Sequence, residues 1–404
     1  MSEAAPDERQ GSWLTRGVAS VGLASFFSDS GHEIATAVLP TFVVSVLRGS
    51  AGVLGLIEGL SDALTGIAKL FAGPLANDTE RRRRMATGGY LVTAVATGAI
   101  GFAVTVWQAA LLRATAWTAR GIRTPARDTL LASLATPQSY GRAYGLERAG
   151  DNLGAVVGPL AASGLVAAVG IRSSIYFAVI PGMFAALAIT AAAHEARQRR
   201  VAPGARARLQ LGALHEAGLV RALAPVALFE LGNVATTLLI LRSTDLLHVQ
   251  GRSLAAATSL AILLYAAHNA VAALVAYAGG HWIDRSGPAR AFGAGAAVYL
   301  VAYAAFALPI HAWPLLLLAF SLAGSGIGLA ETAQSTLVAQ RLPDQLRGSG
   351  FGVLGAVQSL GDFASTASVG ALWTLVSPAL GFAYAATWML FALVAVPLTR
   401  VRAS

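Results

Sequence analysis

The sequence contains no cysteine, a single lysine and few charged residues of any kind. The lack of cysteine excludes a disulfide framework, a thiolate metal site and a cysteine nucleophile. Only 12% of the 404 residues are charged and 55% are hydrophobic, whereas soluble domains carry about 25% charged residues. The mean hydropathy is +0.62. Such a composition is typical of a chain whose solvent is lipid rather than water.

The basic residues do not resemble a nucleic-acid-binding surface. The net charge is +9 and the calculated isoelectric point is about 10.4, but the arginines stand in short clusters between apolar runs instead of along one polar face. We therefore expect no nucleic-acid partner. Residues 1–16 lack the pattern of a signal peptide, so the first apolar segment is predicted to remain as a membrane helix.

Twelve segments are long and apolar enough to cross a membrane as helices, for which about 20 mainly apolar residues are needed. We number them spans 1 to 12: 18–46, 51–76, 85–104, 106–122, 142–169, 173–193, 219–246, 253–279, 289–308, 313–338, 348–375 and 379–398. The sequence therefore predicts an all-α integral membrane protein of twelve transmembrane helices.

The arginines indicate the orientation of the spans, because cytoplasmic loops are enriched in basic residues. With the N-terminus inside, the cytoplasmic loops hold sixteen arginines and the opposite loops hold three. The sixteen are Arg81, Arg82, Arg83, Arg84, Arg120, Arg123, Arg127, Arg197, Arg199, Arg200, Arg206, Arg208, Arg285, Arg290, Arg341 and Arg347. The sequence therefore predicts that both termini are cytoplasmic.

The two halves of the chain match when the second is shifted by 207 residues. At this offset Gly73 corresponds to Gly280, and eight further residues between 121 and 154 have identical counterparts between 328 and 361. We predict two pseudo-symmetric six-helix bundles, residues 1–193 and 215–404, joined by a basic cytoplasmic linker, residues 194–214. Two such repeats enclose a cleft near the membrane midplane, and rocking them exposes it to each side in turn.

The loop after span 8 reads Gly280-His281-Trp282-Ile283-Asp284-Arg285-Ser286-Gly287. Together, this motif, the twelve spans and the duplication make the chain resemble the major facilitator superfamily over nearly its whole length. The resemblance implies that Asp284 and Arg285 latch helix ends in the outward-open state. In the first half Asn77 stands at the position of the aspartate, so we expect Asp78, with Arg81, to supply the charged contact in an altered geometry.

Four further stretches resemble a broad bacterial and archaeal group of this superfamily whose substrates are poorly defined: 29–33, 56–59, 121–128 and 147–154. In span 5, Gly154, Gly158 and Pro159 resemble the Gly-rich, Pro-containing motif of drug/proton antiporters. We interpret the glycines as sites of close helix approach and Pro159 as a bend used during rocking. Ordinary packing of small residues is the alternative.

Charged residues inside the spans are costly in lipid, at about 2.5–3.5 kcal/mol each, and normally face a cavity or a partner. Asp29 and Glu33 lie four residues apart on one face of span 1. Glu58 and Asp62 have the same spacing on span 2. We predict proton coupling at these carboxylates, with Glu33 and Asp29 as first choices and Arg113 as the cation that tunes them. For Glu58 the alternative is simple exposure to water.

Other polar residues are predicted to form a gate or to contact substrate. Glu147, Arg148 and Asp151 lie near the predicted cytoplasmic end of span 5 and are predicted to gate contacts between helices, with a purely structural role as the alternative. The second half is poorer in charge. The residues predicted to contact substrate there are Glu230, Asn233, His268, Asn269 and Glu331.

No other chemistry is indicated. There is no phosphate-binding loop that ends in Lys-Ser or Lys-Thr, so ATP-driven pumping is not predicted. The seven histidines are scattered, with no His-Glu-x-x-His motif. Asp29, His32 and Glu33 are close in sequence, but adjacent residues do not share a helix face, so we predict no metal site. We expect no cofactor and no enzymatic activity.

The sequence predicts a secondary active transporter that moves a small molecule by alternating access, and the first interpretation is export coupled to inward proton flow. Proton-coupled uptake of an organic anion, held by buried arginines, is one alternative. A receptor or lipid-flipping protein that reuses the fold without transport is another. We expect a monomer in the lipid of the bacterial cytoplasmic (inner) membrane, with a small-molecule substrate and protons as partners.

Overall fold

The structure is a computed structural model that describes residues 12–198, 209–249 and 251–399 and places nearly all of them in helices. The helices of the first half are α1 (Arg16–Thr41), α2 (Ala51–Leu75), α3 (Thr79–Ala99), α4 (Val106–Leu134), α5 (Tyr140–Val169), α6 (Ile171–Phe177) and α7 (Val179–Gln198). Those of the second half are α8 (Leu211–Glu216), α9 (Leu219–Glu230), α10 (Thr236–His248), α11 (Leu254–Ser286), α12 (Pro288–Ala307), α13 (Trp313–Arg341), α14 (Asp344–Leu375) and α15 (Pro378–Ala395).

A helix or a pair of helices stands at each of the twelve predicted spans. The pairs are α6 with α7 and α9 with α10, each of which forms one interrupted span. The predicted linker lies partly outside the described residues, and α8 begins near its end. Among the described residues, seven helical segments are long and apolar enough by themselves to cross a membrane. The other five spans, formed by α1, α2, α4, α9–α10 and α14, carry many of the charged and polar residues described below.

The outer surface of the bundle is apolar. Phe71, Phe363 and Val394 lie on different helices and expose 72%, 70% and 71% of their surface. Soluble proteins rarely expose large contiguous apolar surfaces, because that surface is unfavourable in water. The apolar helices and this surface are those of a multi-pass membrane protein.

Helix α4 is twelve residues longer than span 4, which was predicted to end at residue 122. It continues through Pro125, as α5 continues through Pro159. Arg120, Arg123 and Arg127, counted above as loop residues, therefore lie in the interior of a helix rather than in a loop or a terminal helical turn, and thirteen arginines remain in the count against three. Hydropathy ended the predicted span early because it cannot distinguish a polar loop from a helix whose polar face is covered by other helices. Of the thirteen, Arg199, Arg200, Arg206 and Arg208 lie outside the described residues.

Span 7 is broken at 231–235, although the sequence predicts one continuous helix. Two amide groups near the break find side-chain partners. The Val234 N–H donates to the Tyr303 hydroxyl at 3.0 Å, and the Ala235 N–H donates to the Thr366 hydroxyl at 3.0 Å. Irregular backbone within a membrane is tolerated where it is buried in protein or lines a cavity. The break therefore marks the interior of the bundle.

The two halves touch at the end of the bundle where α2 passes into α3, which we call the α2–α3 end. There α2 packs on α14, and α5 packs on α11. A Cβ atom on Gly73 of α2 would lie 2.7 Å from the carbonyl oxygen of Gly348 on α14. A Cβ atom on Gly141 of α5 would lie 2.5 Å from the carbonyl oxygen of Gly280 on α11. Because only glycine fits at such distances, backbone meets backbone at both crossings.

At the opposite end α2 and α14 separate. Midway along, a Cβ atom on Gly66 of α2 would still lie 2.9 Å from the Cβ of Ser359 on α14. In the same register Gly55 would oppose Gly370, yet no neighbouring atom lies within 4 Å of the place that a Cβ would take on either glycine. The cleft between the halves is therefore closed at the α2–α3 end and open at the other.

Cysteine pairs test this closure, because the chain supplies a cysteine-free background. Asn77 Nδ2 lies 2.8 Å from Ser349 Oγ at the closed end. We expect Asn77→Cys combined with Ser349→Cys to form a disulfide quickly under mild oxidation in membranes, since disulfides need Cβ atoms about 3.5–4.5 Å apart. Gly55→Cys combined with Gly370→Cys is the matched control at the open end and is expected to stay reduced.

A protease site inserted in the linker separates the halves after cleavage unless a disulfide joins them. Gel mobility of the cleaved protein therefore measures the cross-linked fraction of each pair. Equal cross-linking of the two pairs, or cross-linking of the control pair alone, would contradict closure at the α2–α3 end.

Candidate functional site: a charged cavity between the two halves

A polar cavity lies between the halves in the middle of the bundle. Its empty volume is about 890 Å³, including the part that is open to solvent. Helices α2, α4 and α5 line it from the first half, and α9, α13, α14 and the break after α9 line it from the second. Its ionisable lining residues are Lys69, Arg120, Arg123, Arg127, Asp128, Arg148, Asp151, Glu230, Glu331 and Asp362.

The two walls of this cavity differ in charge. Among the described residues, the first half contributes one lysine, four arginines and two aspartates to the lining. The second half contributes three carboxylates and no cation. A molecule in the cavity therefore meets a mainly cationic wall on one side and an anionic wall on the other.

Asp29 connects α1 to the cationic wall. Its side chain is buried, and its Oδ1 lies 2.8 Å from Arg120 Nη2. On its other side α1 presses against α5, because a Cβ atom on Gly154 would lie 2.7 Å from the Asp29 Cβ, and Gly158 meets Glu33 in the same way. The two glycines predicted to permit close helix approach thus face the two carboxylates predicted to bind protons.

Glu33 lies beside a histidine rather than beside an arginine. Its Oε1 is 3.6 Å from His32 Nε2, and the His32 ring centroid is 4.2 Å from that of Trp117. The same indole accepts the Arg113 guanidinium on its face at 3.3 Å and donates its N–H to Asp62 at 3.0 Å. Trp117 therefore connects α1, α2 and α4 at this level of the first half.

Arg113 has a different partner from the one predicted. Its Nη2 lies 2.8 Å from Glu58 Oε2, and the Glu58 side chain keeps 36% of its exposure. The sequence predicts Arg113 as the cation that tunes Asp29 and Glu33, whereas Arg120 takes that place beside Asp29. The reason for the correction is that Arg120 lies two turns further along α4 than Arg113, at the level where α1 carries Asp29, whereas Arg113 lies at the level of Glu58 on α2.

The three residues predicted to gate span 5 take different positions. Glu147 is fully buried in the first half and pairs with Arg127 at 2.7 Å. Arg148 reaches across to the second half, where its Nη1 lies 3.6 Å from Glu331 Oε2. Asp151 lines the cavity 4.0 Å from the same arginine nitrogen. Arg148 is thus the residue of the three that joins the two halves.

In the second half, Glu230 and Asp362 are held by amide groups rather than by cations. Glu230 accepts a hydrogen bond from Gln334 Nε2 at 2.8 Å. Asn233, in the break after α9, donates to Glu230 at 3.1 Å and to Asp362 at 2.8 Å. The break therefore places an amide between two buried carboxyl groups on the anionic wall.

Lys69, which the sequence analysis does not select, crosses from the first half to the second. Its Nζ lies 3.3 Å from Ser359 Oγ on α14. Its methylene groups lie against Gly355, where a Cβ atom would come within 2.7 Å of the Lys69 Cδ. The ammonium group thus adds a cation of the first half to the side of the cavity formed by the second.

Glu230 is the structural counterpart of Asp29. The 207-residue offset pairs Gly154 with Gly361, and Gly154 faces Asp29 while Gly361 faces Glu230. These two carboxylates are 201 residues apart, since 230 − 29 = 201. The second half therefore has six additional residues between this point and Gly280, and the break at 231–235 lies among them.

Two residues predicted to contact substrate lie away from this cavity. His268 Nδ1 is 3.1 Å from the Phe320 carbonyl oxygen, and Asn269 Nδ2 donates to the Tyr265 carbonyl at 3.3 Å. Neither belongs to the cavity lining, because both side chains turn toward neighbouring backbone. The predicted substrate residues that do line it are Glu230, Asn233 and Glu331.

Asp284 and Asn77 occupy equivalent positions at the closed end. Asp284, near the end of α11, accepts hydrogen bonds from the Gly141 amide at 2.6 Å and from Arg142 Nε at 2.7 Å, at the start of α5. A carboxylate is favourable at a helix N-terminus. Asn77, 207 residues earlier, accepts from the Ser349 amide at 3.1 Å and donates to its hydroxyl. Neutral hydrogen bonds thus replace the charge at this position.

The predicted latch roles of Asp78, Arg81 and Arg285 need correction. Asp78 caps α3 by accepting the Arg81 amide at 2.8 Å, so its carboxylate is used within its own helix. The side chains of Arg81 and Arg285 are exposed. Arg82 instead is buried and crosses to the second half, where its Nη2 lies 3.1 Å from Asp344.

Three ion pairs join the halves within the described part of the chain. In each pair the cation belongs to the first half and the carboxylate to the second. They are Arg82 with Asp344, Arg142 with Asp284, and Arg148 with Glu331.

Two residues of the cavity that the sequence analysis does not select lie close in sequence to glycines that the duplication marks. Lys69 is the only lysine, and it lies four residues before Gly73, which the duplication marks. Asp362 directly follows Gly361, another duplicated glycine. Arg82 has no such mark, because nothing in the sequence separates it from the arginines on either side.

Comparisons with known proteins agree with this architecture. A family profile described as Major Facilitator Superfamily matches residues 21–366 and 223–403. An uncharacterised MFS-type transporter of Methanocaldococcus jannaschii is 24% identical over 374 residues, which is 92% of each chain. An uncharacterised protein of Mycobacterium tuberculosis is 31% identical over 156 residues, so the match spans only 38% of that relative and of this chain. The multidrug resistance protein MdtG of Salmonella arizonae is 28% identical over 136 residues, which is 33% of this chain and 34% of MdtG.

Solved structures share the fold. The crystal structure of a human organic anion transporter has a TM-score of 0.72 at 16% identity and covers 94% of this chain and 99% of its own. That of a bacterial homologue of the iron transporter ferroportin, in an outward-facing state, has a TM-score of 0.74 at 15% identity and covers 96% and 98%. At such identity the likeness shows the fold alone. With the family match across nearly the whole chain, it follows that the chain belongs to the Major Facilitator Superfamily of membrane transporters.

Proposed function

We propose that the protein is a secondary active transporter that exports a small molecule in exchange for protons, by alternating access to the central cavity. The observation that carries the proposal is the 2.8 Å ion pair between Asp29 and Arg120. Asp29 is buried on α1, whereas Arg120 lines the cavity. One contact therefore joins a buried carboxylate to the lining of the cavity in which substrate would bind.

Protonation of Asp29 would remove the charge that holds Arg120 in place. Glu33 and Asp151 are the other carboxylates whose charge acts on this arginine, and Asp151 also lines the cavity. Arg120 therefore has other partners when Asp29 is neutral. A proton on Asp29 or Glu33 and a substrate in the cavity then favour different arrangements of the same charged side chains. Binding of the proton therefore lowers the affinity for the substrate, and binding of the substrate lowers the affinity for the proton. This reciprocal effect couples proton movement to substrate movement.

Protons reach this cluster from the open end of the cleft. Glu58 lies one turn beyond Gly55, at the end where α2 and α14 have separated, and its carboxylate is partly exposed. Asp62 follows one turn deeper on the same face of α2 and accepts the Trp117 N–H. These two carboxylates form a route toward Asp29 and Glu33.

The anionic wall binds the substrate. Glu230, Asn233 and Glu331 line it, and no cation of the second half neutralises it among the described residues. Such a wall suits a small molecule with a positively charged group, which would displace Lys69 and Arg148 from their present partners. The similarity to MdtG, which is named a multidrug resistance protein, supports export as the direction.

The contacts at the α2–α3 end form the gate. For the cavity to open there, the Asn77 and Asp284 contacts and the ion pair of Arg148 with Glu331 must all break. The glycine contacts between α1 and α5 at Gly154 and Gly158 lie within one half and stay intact. The halves therefore move as bodies against each other.

Uptake of an organic anion together with protons is the second candidate. The cationic wall favours it, because five cations of the first half line the cavity. The structural neighbour named as an organic anion transporter is consistent with it. A receptor or lipid-flipping protein that uses the fold without transport is the third candidate and is an outcome of the test below.

The protein acts as a monomer in the bacterial inner membrane with the α2–α3 end in the cytoplasm. Among the described residues, nine of the arginines predicted to be cytoplasmic lie in the terminal turns of helices at that end, against three at the other end, and this asymmetry supports the orientation. The closed end is then the cytoplasmic one, and the structure is open to the outside.

The first test uses a compound chosen by the growth of an overproducing strain on a panel of toxic compounds. Purified protein in liposomes is given this compound inside, and a trapped pH dye reports the lumen. Exchange predicts that release of the compound acidifies the lumen, because protons enter as the compound leaves.

The sign of the dye response separates the candidates. Alkalinisation during release means that protons leave with the compound and supports symport instead. No pH change with any compound of the panel, organic anions included, contradicts both transport proposals and favours the receptor or lipid-flipping function.

Glu33→Gln tests the proton site. The substitution keeps the size of the side chain and removes its ionisation, so we expect substrate-driven proton movement to fall at least about tenfold, a change of about 1.4 kcal/mol or more in the barrier. Initial rates at several external pH values, measured in the same liposomes, give the result. Size-exclusion elution of the variant shows whether folding is preserved.

Glu216→Gln is the matched control, since Glu216 is an exposed glutamate on α8. It is expected to transport with the rate and pH dependence of the unsubstituted protein. The assignment of Glu33 fails if Glu33→Gln behaves like this control.

A further inference from the structure

The side chain of Lys69 extends along α14 toward the middle of the bundle, away from the nearer, closed end. It leaves α2 four residues before Gly73, which meets α14 at that end. A Cβ atom on Gly352 would lie 2.8 Å from the Lys69 carbonyl oxygen, and one on Gly355 would lie 2.7 Å from its Cδ. Its Nζ then lies 3.3 Å from the Ser359 hydroxyl oxygen. A lysine near the end of a membrane helix normally extends to the nearer water, so this ammonium lies in the cavity for another reason.

The reason is a carboxylate of the anionic wall. Asp362 is the residue whose charge acts most strongly on Lys69, and Lys69 is the residue whose charge acts most strongly on Asp362. Arg148 does not compete for this place, because it engages Glu331. Lys69 is therefore the cation that neutralises this part of the wall.

The ammonium of Lys69 is nevertheless held loosely. An ammonium has three N–H donors, and a hydroxyl oxygen at 3.3 Å accepts one of them. Among the described residues, no carboxylate lies within ion-pair distance of Nζ. The side chain lines the central cavity, so a cation in the cavity can reach the same place. We call this place the ammonium subsite and define it by Gly355, Ser359 and Asp362.

The position of Lys69 depends on closure of the α2–α3 end. Its carbonyl and methylene groups lie against Gly352 and Gly355, one to two turns from the contact of Gly73 with Gly348. Opening that end separates α2 from α14, and the lysine belongs to α2 while the ammonium subsite belongs to α14. Opening therefore withdraws the ammonium from the subsite. The subsite is filled when the cavity is closed at the α2–α3 end and free when it is open there.

We propose, on the basis of the export function above, that Lys69 occupies the subsite of the substrate's charged group after release, and that the substrate is an aliphatic amine whose ammonium takes this subsite once Lys69 withdraws. A slim alkyl chain that ends in an ammonium is what the groove along Gly355 already holds. An exporter needs a high affinity where it loads and a low affinity where it releases. Competition by Lys69 in the outward-open state supplies this difference.

The test uses n-propylammonium, which supplies the atoms that Lys69→Ala removes beyond Cβ. Thermal unfolding of the purified full-length protein is measured while n-propylammonium replaces sodium at constant ionic strength. We expect a saturable rise in the unfolding midpoint of Lys69→Ala, because a ligand that binds only the folded state stabilises it. The unsubstituted protein is expected to bind at least about tenfold more weakly, since a tethered group competes at a high effective concentration.

Two further variants identify the binding place. Ile67→Ala is the matched truncation on α2, because Ile67 is 55% exposed and does not line the cavity. It should bind n-propylammonium as weakly as the unsubstituted protein. Lys69→Ala combined with Asp362→Asn removes the carboxylate of the subsite, and its affinity is expected to fall about tenfold or more relative to Lys69→Ala alone.

Two other probes identify the chemical class. n-Propanol has the chain without the charge and is expected to leave the midpoint of Lys69→Ala unchanged. Tetramethylammonium has the charge without an N–H donor, so it is expected to bind this variant less tightly than n-propylammonium does.

A second measurement uses the unsubstituted chain. Because Lys69 is the only lysine, reductive methylation with isotope-labelled formaldehyde labels this side chain and the N-terminal amine alone, and it preserves their charge. Saturating n-propylammonium is expected to shift the Lys69 carbon resonance toward that of a solvated dimethyllysine. n-Propanol is expected to leave it in place.

The proposal is overturned by equal n-propylammonium affinities of Lys69→Ala and the unsubstituted protein, or by a Lys69 resonance that does not respond. Tetramethylammonium binding as tight as that of n-propylammonium contradicts the assignment of an aliphatic amine. None of these measurements requires transport. A failure of the ammonium subsite is therefore distinct from a failure of the proton exchange, which the liposome assay reports.

Discussion

Contact of backbone with backbone at one end of the bundle is the constraint on which the other features depend. Gly73 meets Gly348 and Gly141 meets Gly280 without a side chain between them. Helices that touch so closely at one end and diverge from there must leave a wedge between them, and the charged cavity occupies this wedge. The hydrogen bonds of Asn77 and Asp284 lie beside the glycine contacts and depend on them, because these side chains are too short to span a wider gap.

The cavity concentrates charge in a protein that otherwise has little of it. In the first half, arginines and carboxylates neutralise each other across α1, α2, α4 and α5, which offsets the cost of burying them in lipid. In the second half, Glu230 and Asp362 have only amide partners from their own half. The two halves thus share a fold and a register but differ in chemistry. This difference gives each wall of the cavity its own preference for ligand charge.

The sequence predicted the features that depend on long averages or on fixed spacing. Hydropathy and the 207-residue offset predicted twelve helices in two halves. The spacing of Gly154 and Gly158 predicted a close helix approach but not its partner, which the structure shows to be Asp29 and Glu33 on α1. The length of α4 escaped prediction, because three arginines on a covered helix face look like a loop. The partner of Arg113 depends on the rotation of three helices about their axes, which no single spacing determines. The break after α9 was missed because one Gly-Asn step in an apolar run does not by itself interrupt a helix.

The ion pairs between the halves all have the same polarity, with arginine from the first half and carboxylate from the second. If two copies of the first half approached each other in the same geometry, Arg82, Arg142 and Arg148 would each face a residue of a half that has no carboxylate to offer there. In two copies of the second half the carboxylates would face Ala289, Ser349 and Gly355, none of which is a cation. Each half therefore carries charges that complement the other half and do not complement a second copy of itself. Within one chain the two repeats thus pair as two different subunits would, with complementary charges on the surfaces that meet.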